Sequence, residues 1–156
     1  MTHALDVYRI EKQRLEVTLA MVGGDVLRGC IFVPRPPFGH GGGVDPAALL
    51  NDGDEFFPLE LEGGGMRLVS KARVVEVSGL PMDEDALTSG LPMALLEIVL
   101  AGGVSHFGSM RLEVRADRPR LLDYLNDCHE RFLTLYTDHG TRLVNRAQIE
   151  FVRPLD

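Results

Sequence analysis

The sequence predicts a mainly β protein with short helices, folded as two small, strongly bent barrels packed as a pseudo-twofold pair. Three observations carry this expectation. Apolar and polar residues alternate with period two over several short stretches, the mark of half-buried strands. Clusters drawn from 17 Gly and 9 Pro punctuate those stretches where turns are needed. An internal repeat relates the two halves of the 156-residue chain. Arg67–Val77 aligns with Arg142–Val152 at an offset of 75, with five of eleven positions identical. The same offset pairs Leu50-Asn51-Asp52 with Leu125-Asn126-Asp127, Glu55 with Glu130, and Phe57 with Phe132. Further upstream, Leu15–Ala20 matches Leu96–Ala101 at an offset of 81, and Gly29 matches Gly108 at 79. This drift places two small deletions in the second copy, around Gly23-Gly24 and within Pro34–Pro46.

Each element follows from local pattern. Ala4–Arg14 reads as a short amphipathic helix, with Leu5, Tyr8 and Ile10 on one side. Leu15, Val17 and Leu19 alternate with Glu16 and Thr18 in a first strand, and Leu96, Ile98 and Leu100 repeat the pattern. Gly23-Gly24 and Gly102-Gly103 follow as turns. Second strands are expected over Val26–Val33 and His106–Val114, each interrupted by a glycine that marks a sharp bend or close backbone approach. Pro34–Val44, with Gly41-Gly42-Gly43, reads as a mobile loop. Asp45-Pro46 starts a short helix that ends near Asn51-Asp52. Its counterpart begins with Pro119 and carries Leu121, Leu122 and Leu125 at helical spacing. Strands then follow at Phe56–Leu61 and Phe132–Thr137, with short closing pairs at Arg67–Val69 and Arg73–Val77, and at Arg142–Val144 and Gln148–Val152. Phe57 and Phe132 are expected in the core. The domain plan is an N-terminal helical segment (1–14), a first repeat (15–78), a polar linker (79–94) and a second repeat (95–156).

Charge narrows the partners. Sixteen Lys+Arg against 23 Asp+Glu leave a net charge of −7. The segment ending at Ser78 holds 8 basic and 11 acidic residues and the remainder 8 and 12, so neither half is basic. Tight non-specific DNA or RNA binding normally needs a basic face. No apolar run approaches the roughly 18–20 residues of a membrane span, and the N-terminus lacks a signal-peptide pattern. Two cysteines, Cys30 and Cys128, cannot build a disulfide framework. The expected setting is the cytoplasm, with no membrane or DNA partner.

Catalytic and metal motifs are incomplete, so the expectation is a protein that is not an enzyme and needs no cofactor. His40-Gly41-Gly42-Gly43 resembles an esterase oxyanion loop, but Gly103-Val104-Ser105-His106-Phe107 fails as a nucleophile elbow at its last position. Neither lysine, Lys12 or Lys71, sits in a phosphate-binding loop. Arg111 and Arg115 have the spacing of a cyclic di-GMP site, yet no serine follows Ser109 to complete it. Cys128, His129 and His139 match no zinc spacing. The recurring polar pairs Asn51-Asp52 and Asn126-Asp127 either line a binding surface or end helices and bond their own backbone. Lys71 and Arg146 are expected as solvated turn charges or, alternatively, as ligand contacts.

The strand and turn text resembles the Sm-like small barrels, an SH3-like fold. The matching stretches are Val17-Thr18-Leu19, Gly23-Gly24, Leu27-Arg28-Gly29-Cys30-Ile31 and Leu68–Val75 in the first half. In the second they are Ile98-Val99-Leu100, Gly102-Gly103, Gly108-Ser109-Met110 and Leu143-Val144-Asn145-Arg146. The shared Leu-Asn-Asp pattern is similar to that of bacterial proteins with duplicated Sm-like domains. The resemblance implies ring-forming barrels and single-stranded RNA binding by an Asn and a basic turn residue, here Asn51, Asn126, Lys71 and Arg146. The acidic charge instead favours a protein partner or self-association. The expected function is therefore a non-enzymatic binding or assembly module, with Sm-type RNA binding as the alternative.

Overall fold

The structure is a computed structural model that describes residues 12–34, 45–112 and 120–155. The expected helix at Ala4–Arg14 lies mostly outside these residues, but Lys12, Gln13 and Arg14 already belong to a strand. The His40–Gly43 loop, all but Pro34 of the segment around it, Arg115 and Pro119 also lie outside them.

Among the described residues, ten strands form one antiparallel sheet. The first five are β1 (Lys12–Met21), β2 (Val26–Pro34), β3 (Phe56–Leu61), β4 (Met66–Ser70) and β5 (Val74–Leu80). The second five are β6 (Met93–Leu100), β7 (Ser105–Arg111), β8 (Phe132–Thr137), β9 (Gly140–Asn145) and β10 (Ile149–Pro154). Among the described residues, three short helices intervene: α1 (Pro46–Asn51), α2 (Glu84–Leu87) and α3 (Leu121–Asp127). Single 3-10 turns at Lys71–Arg73 and Arg146–Gln148 precede the last strand of each set.

The sheet order is β10-β6-β7-β8-β9-β5-β1-β2-β3-β4. Each five-strand set therefore runs through its hairpins and returns its fifth strand beside its first. Matching backbone hydrogen bonds relate the sets. Met21 N–H donates to Asp25 C=O at 2.8 Å, and Leu100 N–H donates to Val104 C=O at 2.8 Å. Lys71 N–H donates to Glu55 C=O at 2.9 Å, and Arg146 N–H to Arg131 C=O at 2.8 Å. A Cβ on Gly29 would lie 2.1 Å from the Glu60 carbonyl oxygen, and one on Gly108 would lie 2.4 Å from that of Tyr136. Both glycines thus admit the next strand to a distance no side chain allows.

These pairs set the correspondence between the halves. It is 79 residues throughout the first hairpin, 76 at β3 and β8, and 75 at β4, β5 and their counterparts. Val17 therefore corresponds to Leu96 rather than to Ile98, and the first hairpin turn has not been shortened. Phe132 corresponds to Phe56, and Leu133 to Phe57, correcting the Phe57–Phe132 match. The one-residue loss falls in the turn after β8, where Thr137 pairs directly with Gly140.

The joint between the sets is head-to-tail. β5 pairs antiparallel with β9, through Glu76 opposite Val144, Val77 opposite Leu143 and Leu80 opposite Thr141. A pseudo-twofold pair would set equivalent strands against each other. Here β5 meets the counterpart of β4, which corrects that expectation. Each five-strand set ends in two unlike edges, and joining unlike edges buries Val77 and Leu143 together.

The linker is shorter and more ordered than expected. β5 reaches Leu80 through Gly79 at φ +84°, a value open to glycine. Between Leu80 and Met93, α2 is capped by Asp83, whose carboxylate accepts from Ala86 N–H at 3.1 Å. Its Ala86 is buried.

Two apolar clusters form the core. One gathers Val17, Leu19, Ile31, Leu50, Phe57 and Leu59 of the first set, and it also takes in Phe132 and Leu143 from the second. The other gathers Leu96, Ile98, Leu100, Met110, Leu133 and Leu135, with Leu121, Tyr124 and Leu125 half-buried on it.

Candidate functional site: one joint and two open edges

The joint is fastened by Asn51, one of the expected site residues, and by side chains that sequence spacing did not single out. α1 starts with Asp45, which accepts from Ala47 N–H at 3.1 Å, and with Pro46 at its first position. It ends at Asn51, whose amide reaches across the joint. The Asn51 oxygen accepts from Phe132 N–H at 2.7 Å, and its nitrogen donates to Phe132 C=O at 3.1 Å. The same nitrogen donates to Glu130 at 3.2 Å. Arg131 pairs with Glu55 at 2.8 Å. Asn145 is buried and donates to Val74 C=O at 2.8 Å, while its oxygen accepts from Ala147 N–H at 3.0 Å.

Glu76 of β5 is a buried carboxylate held by two groups of the second set, His106 Nε2 at 2.7 Å and the Arg142 guanidinium. Burial pushes the Glu76 carboxyl up, but His106 and Arg142 outweigh it and hold it below its ordinary range. Such a cluster fixes how two surfaces meet more than it adds stability.

The expected site residues divide into unlike roles. Asn51 bonds across the joint. Lys71 is fully buried, and its ammonium meets the Asp52 carboxylate at 2.5 Å, which corrects its reading as a solvated turn charge. That hydrogen bond holds the Asp52 carboxyl below its usual range. Asp52 also accepts from Asp54 N–H at 2.9 Å, so it braces the turn after α1. Arg146 is half-buried and donates to Leu125 C=O at 2.6 Å, again bracing the helix rather than facing solvent alone. Asn126 and Asp127 are exposed at the end of α3. The structure thus brings Asn51, Asp52 and Lys71 to one end of α1, and Asn126, Asp127 and Arg146 to the equivalent end of α3.

Two edges of the sheet, β4 and β10, have no partner strand among the described residues. They are the counterparts of β9 and β5, the strands that meet at the joint. Leu68 of β4 is 74% exposed, whereas its counterpart Leu143 is 1% exposed. Phe56 is 59% exposed, whereas Phe132 is fully buried. On β10, Phe151 is 53% exposed where Glu76 is 6% exposed.

Other surfaces offer less. A cleft of about 470 Å³ beside β1 and β2 is lined by Arg14, Glu16, Arg28, Cys30, Glu60 and Glu62. Arg14 and Glu60 pair within it at 2.9 Å. Among the described residues, no group of three or more His, Cys, Asp or Glu side chains could hold a metal ion. No helix among them is long and apolar enough to cross a membrane. Comparison with protein-family models, with curated proteins and with solved structures finds no match for this chain.

Proposed function

We propose that the chain is a non-enzymatic assembly module of the cytoplasm, built from two Sm-like barrels in tandem, whose partner is a second copy of itself. One observation carries the reading: the strand edges left open at the two ends are the counterparts of the two that close on each other in the middle. An exposed edge presents unpaired N–H and C=O groups that template another strand. Apolar Phe56, Met66 and Leu68 at one end and Phe151 at the other stand exposed there, beside the edge charges Arg67, Glu150 and Arg153.

The alternative, single-stranded RNA binding, loses its basic contacts in this arrangement. Lys71 is buried on Asp52, and Arg146 is turned onto the Leu125 carbonyl. Light scattering on the purified chain over a range of concentrations tests the proposal. Mass rising above one chain supports it. A single-chain mass at the highest soluble concentration overturns it.

A further inference from the structure

We propose that copies join head-to-tail: β10 of one copy pairs with β4 of the next, Asn126 grips the Phe56 backbone, and Phe151 rests on Leu27. This rests on the self-assembly reading above and names its geometry.

The internal joint supplies the template. There, Phe132 completes the core of the first set, covering α1, where Leu50 is fully buried. Among the described residues, the second set receives only the half-buried Val75 from the first, and no phenylalanine. Leu125, the counterpart of Leu50, is only half-buried. The counterpart of Phe132 is Phe56, which stands exposed at the other end of the molecule. A second copy presents Phe56 to this gap in the same orientation that Phe132 has inside.

The surrounding groups transfer with it. Asn51 clamps the Phe132 backbone, and Asn126, exposed at the equivalent helix end, is the same residue type for Phe56. The Glu55–Arg131 ion pair carries over with its signs exchanged, Arg131 of one copy facing Glu55 of the next. The ladder pairs Glu76–Val144 and Val77–Leu143 become Phe151–Val69 and Val152–Leu68, which are wholly apolar.

The most specific match lies where both sides change together. Inside, Glu76 faces His106. At the open ends, the counterpart of Glu76 is Phe151 and that of His106 is Leu27. A carboxylate on a histidine has become a phenyl ring on an aliphatic chain. Arg142 has its counterpart in Arg67, which is exposed. The outer joint is therefore an apolar version of the inner one. Two departures stand out: Ser70 takes the place of Asn145, which bonds the Val74 carbonyl inside, and Pro154 takes the place of Gly79 and cannot adopt its φ of +84°. Pairing therefore ends at Val152. A heterologous contact of this kind closes into a ring or runs on as a filament, according to its rotation.

Two blocked variants test the geometry. Phe56→Ala with Leu68→Arg disables the β4 end, and Asn126→Ala with Phe151→Arg, which sets like charge against Arg67 of the next copy, disables the β10 end. All four side chains are exposed, so circular dichroism should match the parent. Each variant alone should be a single chain, and an equimolar mixture should form a 1:1 dimer and nothing larger, with association at least about tenfold tighter than for either alone. Self-association of either blocked variant, or no dimer in the mixture, overturns the head-to-tail geometry while leaving self-assembly standing. A parent chain that stays single overturns both. Hydrogen exchange on the parent gives a reading without substitution: Phe56 and β4 amides must gain protection with concentration. Unchanged protection there, in a parent that does associate, also overturns the geometry.

Discussion

The two halves share strand order and hydrogen bonding, yet the first takes Phe132 and Leu143 of the other into its core, while among the described residues the second takes only the half-buried Val75. The first set receives Phe132 and Leu143 from its neighbour in the chain. The second leaves Leu125 half-buried, with exposed Asn126 beside it. The same residue pattern therefore produces a filled joint over Leu50 in one place and, among the described residues, a half-buried Leu125 in the other. The first set has the second set as its covalently attached follower, and that follower fills its joint.

The difference can be broken most forcefully at its two phenylalanines. Phe132→Ala should cost about 3–5 kcal/mol of stability in urea unfolding, the usual range for a buried aromatic. Phe56→Ala should stay within about 0.5 kcal/mol in a dilute, dissociated sample, as for other surface changes. Equal losses would show that the two positions do not differ in burial as described.

A change that strikes both halves alike sharpens the contrast. Gly29→Ala and Gly108→Ala each drive a methyl onto a backbone carbonyl, Glu60 in one case and Tyr136 in the other. Each should lose about 1–3 kcal/mol, the overpacking range. A much milder effect at one of them would separate halves that the backbone makes equivalent.

The asparagines come next. Asn51→Ala removes both bonds to the Phe132 backbone and should cost about 1–2 kcal/mol. Asn126→Ala should be silent in the dissociated chain and visible only in association. The smallest effect concerns pH. The Glu76 pKa is depressed in the folded state, so its contribution is present above the ordinary value of 4.5 and is lost as pH falls below it. Stability of the parent should therefore decline through that acid range more steeply than that of Glu76→Gln. Parallel curves would remove Glu76 from the joint's acid response. The outer joint has Phe151 at this position and should lack this carboxylate's contribution.

Much of the fold is legible from period and punctuation. The strands at Phe56–Leu61 and Phe132–Thr137 fall where alternation places them, and the helix after Asp45-Pro46 ends at Asn51. What the pattern cannot resolve is register. A period-two strand slipped by two residues keeps every side chain on its own face. Leu15–Ala20 therefore matches Leu96–Ala101 as well by pattern as the true partners do. Gly29 and Gly108, each with a carbonyl where its Cβ would stand, and the matching turn bonds of Met21 and Leu100 pin the correspondence. A slip of one residue reverses faces, and it pairs Phe57, which fills its own core, with Phe132, which fills its neighbour's. The joint itself is invisible in the sequence because Glu76, His106 and Arg142 come from strands far apart along the chain. Lys71 reads as a surface charge because a lysine is usually solvated, and only the fold places Asp52 against it.

The position of Phe132 also has a consequence in time. During synthesis the first five strands are complete once Leu80 has been made. The side chains that finish their core, Phe132 and Leu143, emerge roughly 50–60 residues later, or about 3–12 s at ~5–20 residues per second. Through that interval the nascent first half exposes the β5 edge and an unfilled pocket at α1. The Phe56 of a neighbouring nascent chain is complementary to that pocket. Chains made close together on one message are thus exposed to a wrong partner before their own second half arrives.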